Sequence, residues 1–277
     1  MSLKLKPLSE QVIFITAATS GIGLATIHRA VEQGAKVFMV DVIEEDLEEI
    51  QMDLRSKGYE TAYAVAEVSE YDQLAFAADS CIRTFGCINT FINNVGVVPI
   101  DPEMTSITSE FKKIFDGYFW GIVNGCIIAL SLMCEEGGVI MNVGNGLSHV
   151  SSPIQSLYVS SKQAVIAYSH CLRKELALQK LPLALCLIMP EALDTPYDRF
   201  TDSIERPLYR PPIYDADVIA QIILKYAERP GHDVGVWPIA ELVPQVSRFL
   251  PKLRKFLLRR NPFQRLPSIQ YDNQDRL

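Results

Sequence analysis

Tyr158 and Lys162 have the types and spacing of an acid–base pair, since they stand four residues apart. On a helix such residues share a face, so the phenol and the ammonium would lie side by side. A cation beside a phenol lowers the phenol's pKa from about 10 toward neutrality. The phenol can then exchange a proton with an alcohol or a carbonyl. Because such pairs are common on surface helices, this interpretation depends on the elements that would position them.

A glycine-rich turn upstream has the pattern of a dinucleotide phosphate site. Residues 12–15 predict a strand, and residues 16–23 (Thr-Ala-Ala-Thr-Ser-Gly-Ile-Gly) lead into an amphipathic helix. The glycines allow a tight turn, and the helix N-terminus supplies amide donors and a partial positive charge. The next predicted strand ends in Asp41, where an acid typically binds an adenosine ribose. The alternative is an ordinary tight turn followed by a solvated aspartate.

These motifs resemble those of the short-chain dehydrogenase/reductase family. Residues 16–23 match the family's T-G-x-x-x-G-x-G motif, with Ala17 in place of the first glycine, and residues 93–96 read Asn-Asn-Val-Gly where the family has N-N-A-G. The later landmarks are the Tyr-x-x-x-Lys pair and the proline and threonine of a P-G-x-x-x-T segment: Tyr158, Lys162, Pro190 and Thr195. The resemblance covers residues 12–237. It implies an α/β fold, a single Rossmann-like doubly wound parallel sheet with helices on both faces.

The resemblance implies four catalytic positions, two of which depart from the family pattern. Tyr158 is the acid/base and Lys162 its activating cation. Asn145 occupies the place of the family's serine, and its amide can still donate to a substrate oxygen; Ser148 is the alternative donor. Tyr118 occupies the place of the asparagine that positions a water beside the lysine. Three roles are open for Tyr118. It relays protons through its hydroxyl, it blocks the water path between the lysine and solvent, or it is simply a core aromatic.

A nicotinamide dinucleotide is the implied cofactor. Asp41 favours NAD(H) over NADP(H), because a 2′-phosphate would meet its negative charge. Glu191 replaces the glycine after Pro190; beside the nicotinamide it would favour the oxidised cofactor, act as a base, or point into solvent. The implied cofactor-binding residues are Thr16, Ser20, Gly21, Ile22, Gly23, Asp41, Glu67, Val68, Asn93, Tyr158, Lys162, Pro190, Leu193 and Thr195.

Composition limits the partners and the location. The chain has 277 residues, enough for one sizeable core, and its net charge of -7 argues against nucleic acid as a partner. Six cysteines and four histidines are dispersed without metal-ligand spacing. We therefore predict reduced thiols, no metal and a cytoplasmic location. Residues 1–10 have no apolar core of signal-peptide length.

Alternating strand and helix patterns divide the chain into a main domain and a C-terminal extension. Residues 1–240 are predicted to form the NAD(P)-binding domain, whose lid at 196–214 carries aromatic residues that suit an apolar ligand. Residues 241–277 are predicted to form a basic amphipathic helix and a polar tail. The basic run at 251–260 either faces solvent or contacts an anionic membrane surface or an acidic partner.

Strands are predicted near 12–16, 36–41, 61–66, 89–93, 139–143, 184–189 and 233–237. The helices between them include 44–57, 71–85, 109–133 and 158–181. The apolar run 118–134 approaches membrane-span length, but it contains glycines and Asn124. We therefore predict no transmembrane segment and a helix buried in a subunit interface, as in the resembled family, which implies a homodimer or homotetramer.

Three functions remain open at this point. The first is an NAD(P)(H)-dependent oxidoreductase that interconverts a secondary alcohol and a ketone. The second is a non-redox isomerase, dehydratase or cyclase on the same scaffold, with Tyr158 or Glu191 transferring protons. The third is a catalytically silent binding protein, which is favoured if Tyr118 and Glu191 block the pocket.

Overall fold

A seven-stranded, entirely parallel sheet organises the described part of the chain. The structure, a computed structural model, describes residues 5–95, 112–133, 135, 137–145, 156–190, 215–231 and 233–235. The strand order is β3-β2-β1-β4-β5-β6-β7. The strands are β1 Val12–Thr16, β2 Lys36–Asp41, β3 Thr61–Val65, β4 Thr90–Asn93, β5 Gly138–Val143, β6 Leu183–Met189 and β7 Asp233–Gly235.

Helices connect the strands in the βαβ manner that a parallel sheet requires. They are α1 Gly21–Glu32, α2 Glu44–Ser56, α3 Tyr71–Phe85, α4 Gly121–Met133, α5 Ser156–Gln179 and α6 Ala216–Glu228. A 3₁₀ turn at Leu8–Glu10 precedes β1, and a π-helical turn at Asp116–Trp120 directly precedes α4. The doubly wound α/β prediction is thereby confirmed.

Two hydrophobic cores lie on the two faces of the sheet. Successive strand residues point to opposite faces, so Ile13 and Ile15 of β1 enter one core and Phe14 enters the other. The first core packs against α1, α2 and α6, and the second against α3, α4 and α5. All five β1 residues are buried, because helices cover both faces of the sheet.

The strand order reverses between β1 and β4, which are neighbours although two strands intervene in sequence. β2 and β3 lie on one side of this point, and β5 to β7 lie on the other. In open parallel sheets a crevice forms at such a switch point, outside the carboxyl ends of the strands. The glycine-rich turn follows β1, so the fold places this turn at the crevice.

Element boundaries differ slightly from the predictions. β3 ends at Val65 rather than residue 66, and α5 runs over Ser156–Gln179 rather than 158–181. Lys180 ends α5 because it adopts a positive φ of 55°. The predicted positions 109–111 and 236–237 lie outside the described residues. The π-helical turn was not predicted.

Residues Lys112–Met133 form one helix that is long and apolar enough to cross a membrane by length and composition. This helix connects β4 to β5 on one face of the sheet and includes the π-helical turn. Its residues Ile122, Cys126 and Ala129 belong to the core on that face. Core packing accounts for part of this apolar composition, since half of the apolar stretch is buried.

Candidate active site

Tyr158 and Lys162 lie one turn apart at the start of α5, next to the carboxyl end of β5. The Tyr158 hydroxyl accepts a hydrogen bond from Asn145 Nδ2 at 2.8 Å. Lys162 Nζ lies 5.9 Å from the centre of the Tyr158 ring and donates to the Val143 carbonyl at 3.3 Å. The phenol therefore has an amide donor on its oxygen and an ammonium beside its ring.

Tyr118 enters the same cluster from the π-helical turn. Its buried ring meets the Tyr158 ring edge-on, with centroids 5.2 Å apart. Lys162 Nζ lies 4.7 Å from the centre of the Tyr118 ring, within cation–π range. The burial of Tyr118 is what the core-aromatic interpretation expects. The contact with Lys162 adds an electrostatic interaction.

Lys162 is buried, with 4% of its surface exposed. Burial lowers the pKa of Lys162 to about 7, because removing the ammonium from water disfavours its charged form. The two aromatic rings and the Val143 carbonyl oppose this effect, since each favours the cation. The protonation of Lys162 therefore depends on the balance between burial and these three contacts.

Three contacts attach α5 to β5 in register. Asn142 Nδ2 donates to Ser169 Oγ at 2.9 Å, deep in the sheet. Lys162 then binds the Val143 carbonyl and Tyr158 binds Asn145, each closer to the strand's carboxyl end. The β5–α5 pairing thus sets the height of the acid–base pair above the sheet.

The turn after β1 is closely packed around Gly23. A Cβ on Gly23 would lie 2.3 Å from the Ala17 carbonyl oxygen, so only glycine fits there. Ser20 caps α1, its Oγ accepting from the Gly23 amide at 3.3 Å. Among the described residues, a Cβ on Gly21 would meet only Ala216 Cβ, at 3.9 Å, which is an ordinary van der Waals contact.

The N-terminus of α1 is suited to an anion. Within the described residues, the amides of Gly21 and Ile22 have no hydrogen-bond partner, and the first turn of α1 contains no acidic residue. Free amides and the helix dipole together bind phosphate groups. These residues fit the diphosphate of a dinucleotide.

Asp41, at the end of β2, is held in a fixed orientation. Its Oδ2 accepts from the Thr19 amide at 2.9 Å and from the Thr19 hydroxyl at 2.8 Å. Its Oδ1 accepts from the Val42 amide at 2.7 Å. A carboxylate has about four lone-pair sites, so one remains for a ribose hydroxyl.

Thr16 and Asn93 contact other protein groups rather than open space. The buried Thr16 hydroxyl donates to the Asn94 carbonyl at 2.5 Å. Asn93 is also buried, and its Nδ2 donates to Asn142 Oδ1 at 2.9 Å. Asn94 Nδ2 donates to the Ala17 carbonyl at 3.2 Å and to Ser20 Oγ at 3.0 Å. The side chains of Thr16 and Asn93 therefore support the glycine turn and the strand ends.

Glu67 and Val68 follow β3 and are both half-buried. Asn124 of α4 donates to the carbonyls of Val68 and Ser69, each at 3.1 Å. The Val68 side chain also packs on Gly121, where a Cβ would lie 2.6 Å from Val68 Cγ2. Helix α4 therefore fixes a segment whose residues Glu67 and Val68 are predicted to bind the cofactor.

The remaining predicted positions are only partly described. Pro190 is buried directly after β6. Ser148, Glu191, Leu193 and Thr195 lie outside the described residues, as do the lid at 196–214 and the basic run at 251–260.

Comparison with known proteins decides the family. A model of the short-chain dehydrogenase family matches residues 11–205. The chain is also 35% identical, over 92% of its length and 73% of the relative's, to a protein of Bacillus subtilis named uncharacterized oxidoreductase YxnA. The chain belongs to the short-chain dehydrogenase/reductase family. It is an oxidoreductase of the short-chain dehydrogenase/reductase type.

Two solved structures share the fold at 20% identity and a TM-score of 0.70. One is a short-chain dehydrogenase/reductase from Burkholderia phymatum in complex with NAD. The match covers 92% of this chain and 96% of the Burkholderia chain. The other is an alcohol dehydrogenase from the archaeon Thermococcus sibiricus complexed with 5-hydroxy-NADP, with coverages of 82% and 95%. One relative of this fold thus holds NAD and the other an NADP derivative.

Sequence reasoning missed several residues that shape this short-chain dehydrogenase/reductase site. Thr19 was not predicted to bind Asp41, although Thr19 lies in the turn after β1 and Asp41 ends β2, the strand paired with β1. Asn94 and Asn124 were not predicted to join separate loops, because hydrogen bonds between distant segments leave no local pattern. The available signals were the place of Asn94 in the Asn-Asn-Val-Gly motif and the polar character of Asn124 within an apolar helix.

Proposed function

We propose that this protein interconverts a secondary alcohol and a ketone on a largely apolar small molecule, with NAD(H) as cofactor and Tyr158 as acid/base. The observation that carries the proposal is the cluster around the phenol. Asn145 donates to the Tyr158 oxygen at 2.8 Å, and the buried Lys162 ammonium lies beside the same ring. The apolar substrate class rests on the aromatic residues of segment 196–214.

The proposed chemistry transfers one proton at the Tyr158 oxygen. In the reductive direction the phenol donates its proton to the carbonyl oxygen, and Lys162 stabilises the phenolate that remains. In the oxidative direction the phenolate accepts the alcohol proton. The Asn145 amide donates to the Tyr158 oxygen. In the proposed reaction it would also stabilise the negative charge that develops on the substrate oxygen. A nicotinamide, when bound, supplies or accepts the hydride that balances the reaction.

Turnover of a ketone panel with NADH tests this proposal. We expect Tyr158→Phe to lower kcat by at least about 10²-fold, since the proton donor is removed. Asn145→Ala should cost about 10²-fold, because one donor to the reacting oxygen is lost. Asn145→Ser should retain or increase the activity, since a hydroxyl also donates.

Two results would reject the redox proposal. Product formed without NADH consumption would indicate a non-redox enzyme. If neither the wild type nor Asn145→Ser turns over any ketone, although calorimetry shows that both bind NADH, a silent binding protein is indicated.

The proposed preference for NAD(H) rests on Asp41, whose carboxylate is fixed by Thr19 and Val42. We expect Asp41→Asn to improve NADPH binding relative to NADH by about 10-fold or more, because the charge facing a 2′-phosphate is removed. Calorimetric titration of both nucleotides measures this ratio. Asp53→Asn, on the exposed end of α2, is the control and should leave the ratio unchanged. An unchanged ratio in Asp41→Asn would contradict the preference.

The proposal extends to the setting of the enzyme. We infer a homodimer or homotetramer in the cytoplasm, with residues 1–240 as the catalytic domain and 241–277 as an extension. Five cysteines are free within the described ranges, which suits a reducing compartment.

A further inference from the structure

The contact between Tyr118 and Lys162 places an aromatic face against a buried cation. Lys162 Nζ is 4.7 Å from the Tyr118 ring centre and 5.9 Å from that of Tyr158, so Tyr118 is the nearer ring. Both the Tyr118 ring and Lys162 are buried. A desolvated cation–π contact is worth more than an exposed one, because water does not compete for the cation.

The groups facing Lys162 are few. The π-helical turn presents Tyr118, α5 presents Tyr158, and β5 presents the carbonyl of Val143. Among the described residues no carboxylate forms an ion pair with Lys162. In the part of the chain that the structure describes, the Lys162 ammonium is therefore stabilised by one carbonyl and two aromatic rings and by no carboxylate.

The π-helical turn is what aims Tyr118 at this position. Such a turn inserts one residue into a helix and often occurs at functional sites. Since a helix rotates about 100° per residue, a regular helix through Asp116–Trp120 would turn the Tyr118 ring away from α5. The edge-on contact with Tyr158 further fixes the ring. The Tyr118 ring is thus fixed both by the π-helical turn that carries it and by its contact with the Tyr158 ring.

We propose that Tyr118 is a positioning residue whose ring holds the Lys162 ammonium charged beside Tyr158 through a cation–π contact. This rests on the proposed acid–base role of Tyr158 and Lys162, and it deepens that role. The ring, not the hydroxyl, carries the effect.

The test is a pH titration of the full-length protein, without nucleotide or substrate, by NMR of ¹³Cε-labelled lysines. Lys162→Met identifies the Lys162 resonance by its disappearance. We expect Tyr118→Leu to lower the Lys162 midpoint by about 0.5–1.5 pH units, a 3- to 30-fold change in its dissociation constant. Tyr118→Phe keeps the ring and should titrate within about 0.3 units of wild type. Lys57, paired with Asp53 on the surface, is the internal reference.

Two outcomes would overturn the proposal. One is an unchanged or raised midpoint in Tyr118→Leu, which would show that the ring only excludes water. The other is an equal shift in Tyr118→Phe, which would assign the effect to the hydroxyl. If Tyr118→Leu does not fold, as judged by circular dichroism, Tyr118→Met takes its place with the same expected shift. Because no turnover is measured, failure of the proposed reaction would be distinguishable from failure of this contact.

Discussion

At the scale of single residues, Ala17 shows how the turn after β1 departs from ideal backbone geometry. Its φ of 47° lies in the left-handed region, which costs a residue with a Cβ about 1–2 kcal/mol. The strain is held in place by neighbours, since the Ala17 carbonyl accepts from Ser20 Oγ and Asn94 Nδ2. The same carbonyl lies against Gly23.

We expect Ala17→Gly to raise the free energy of unfolding by about 1 kcal/mol, because glycine adopts positive φ without a Cβ penalty. Urea denaturation measures the change. Gly58→Ala is the reciprocal control: its φ is 87° and its Cβ would meet nothing within 4 Å, so it should cost about 1 kcal/mol by strain alone. A destabilised Ala17→Gly protein would show that the alanine methyl makes a compensating contact.

Lys162 makes stability depend on pH. Its pKa is about 7 in the folded protein and about 10.4 when unfolded, so between these values the unfolded state binds more protons. Stability contributed by this group therefore rises with pH. We expect the difference in unfolding free energy between Lys162→Met and wild type to shrink by about 2–3 kcal/mol from pH 7 to pH 9. Parallel urea titrations of the two proteins test this; equal pH slopes would contradict it.

At the scale of elements, α4 depends on a close approach to β4. A Cβ on Gly125 would lie 1.8 Å from Asn93 Oδ1, so the helix backbone rests on this side chain. Asn93 in turn binds Asn142 of β5, and Asn142 binds Ser169 of α5. One buried polar network thus connects β4, β5 and α5 below the acid–base pair and lies against α4, which continues from the turn that carries Tyr118.

We expect Gly125→Ala to destabilise the protein by at least about 2 kcal/mol, because the methyl group overlaps Asn93 and forces α4 from the sheet. Thermal or urea unfolding measures the loss. Ser131→Ala is the control on the same helix, since Ser131 is exposed, and should cost about 0.5 kcal/mol or less. Equal stability of the two variants would mean that α4 tolerates a shift.

At the scale of the whole molecule, α4 leaves apolar surface uncovered. Trp120, the last residue of the π-helical turn, and Ile127 of α4 expose 50% and 45% of their surface on a helical segment that is otherwise rich in core residues. Apolar side chains on one face of a helix are typical of a subunit contact. This face is where the proposed homo-oligomer would associate.

We expect sedimentation velocity to give two or four times the mass of one chain. Ile127→Glu should shift the protein toward the monomer, because a charge would be buried in the contact. Met52→Glu changes an even more exposed apolar residue on α2, on the other face of the sheet, and should leave the mass unchanged. A monomeric wild type would contradict the proposed assembly.

The amino-acid sequence by itself determined the fold and the family. Continuous apolar strands, Gly23 in a turn without room for a side chain, and Asp41 at a strand end are local features, so their patterns can be read along the chain. The i,i+4 spacing placed Tyr158 and Lys162 on one face of α5 for the same reason.

Only the tertiary structure decided which groups Tyr118, Asn145 and Thr19 contact. Each meets its partner across a sequence separation of 13 residues or more, through strand pairing and helix packing. The π-helical turn that aims Tyr118 has no pattern in single-residue preferences. These contacts depend on where whole elements dock, and docking is set by side-chain volumes and polar networks that no local spacing reports.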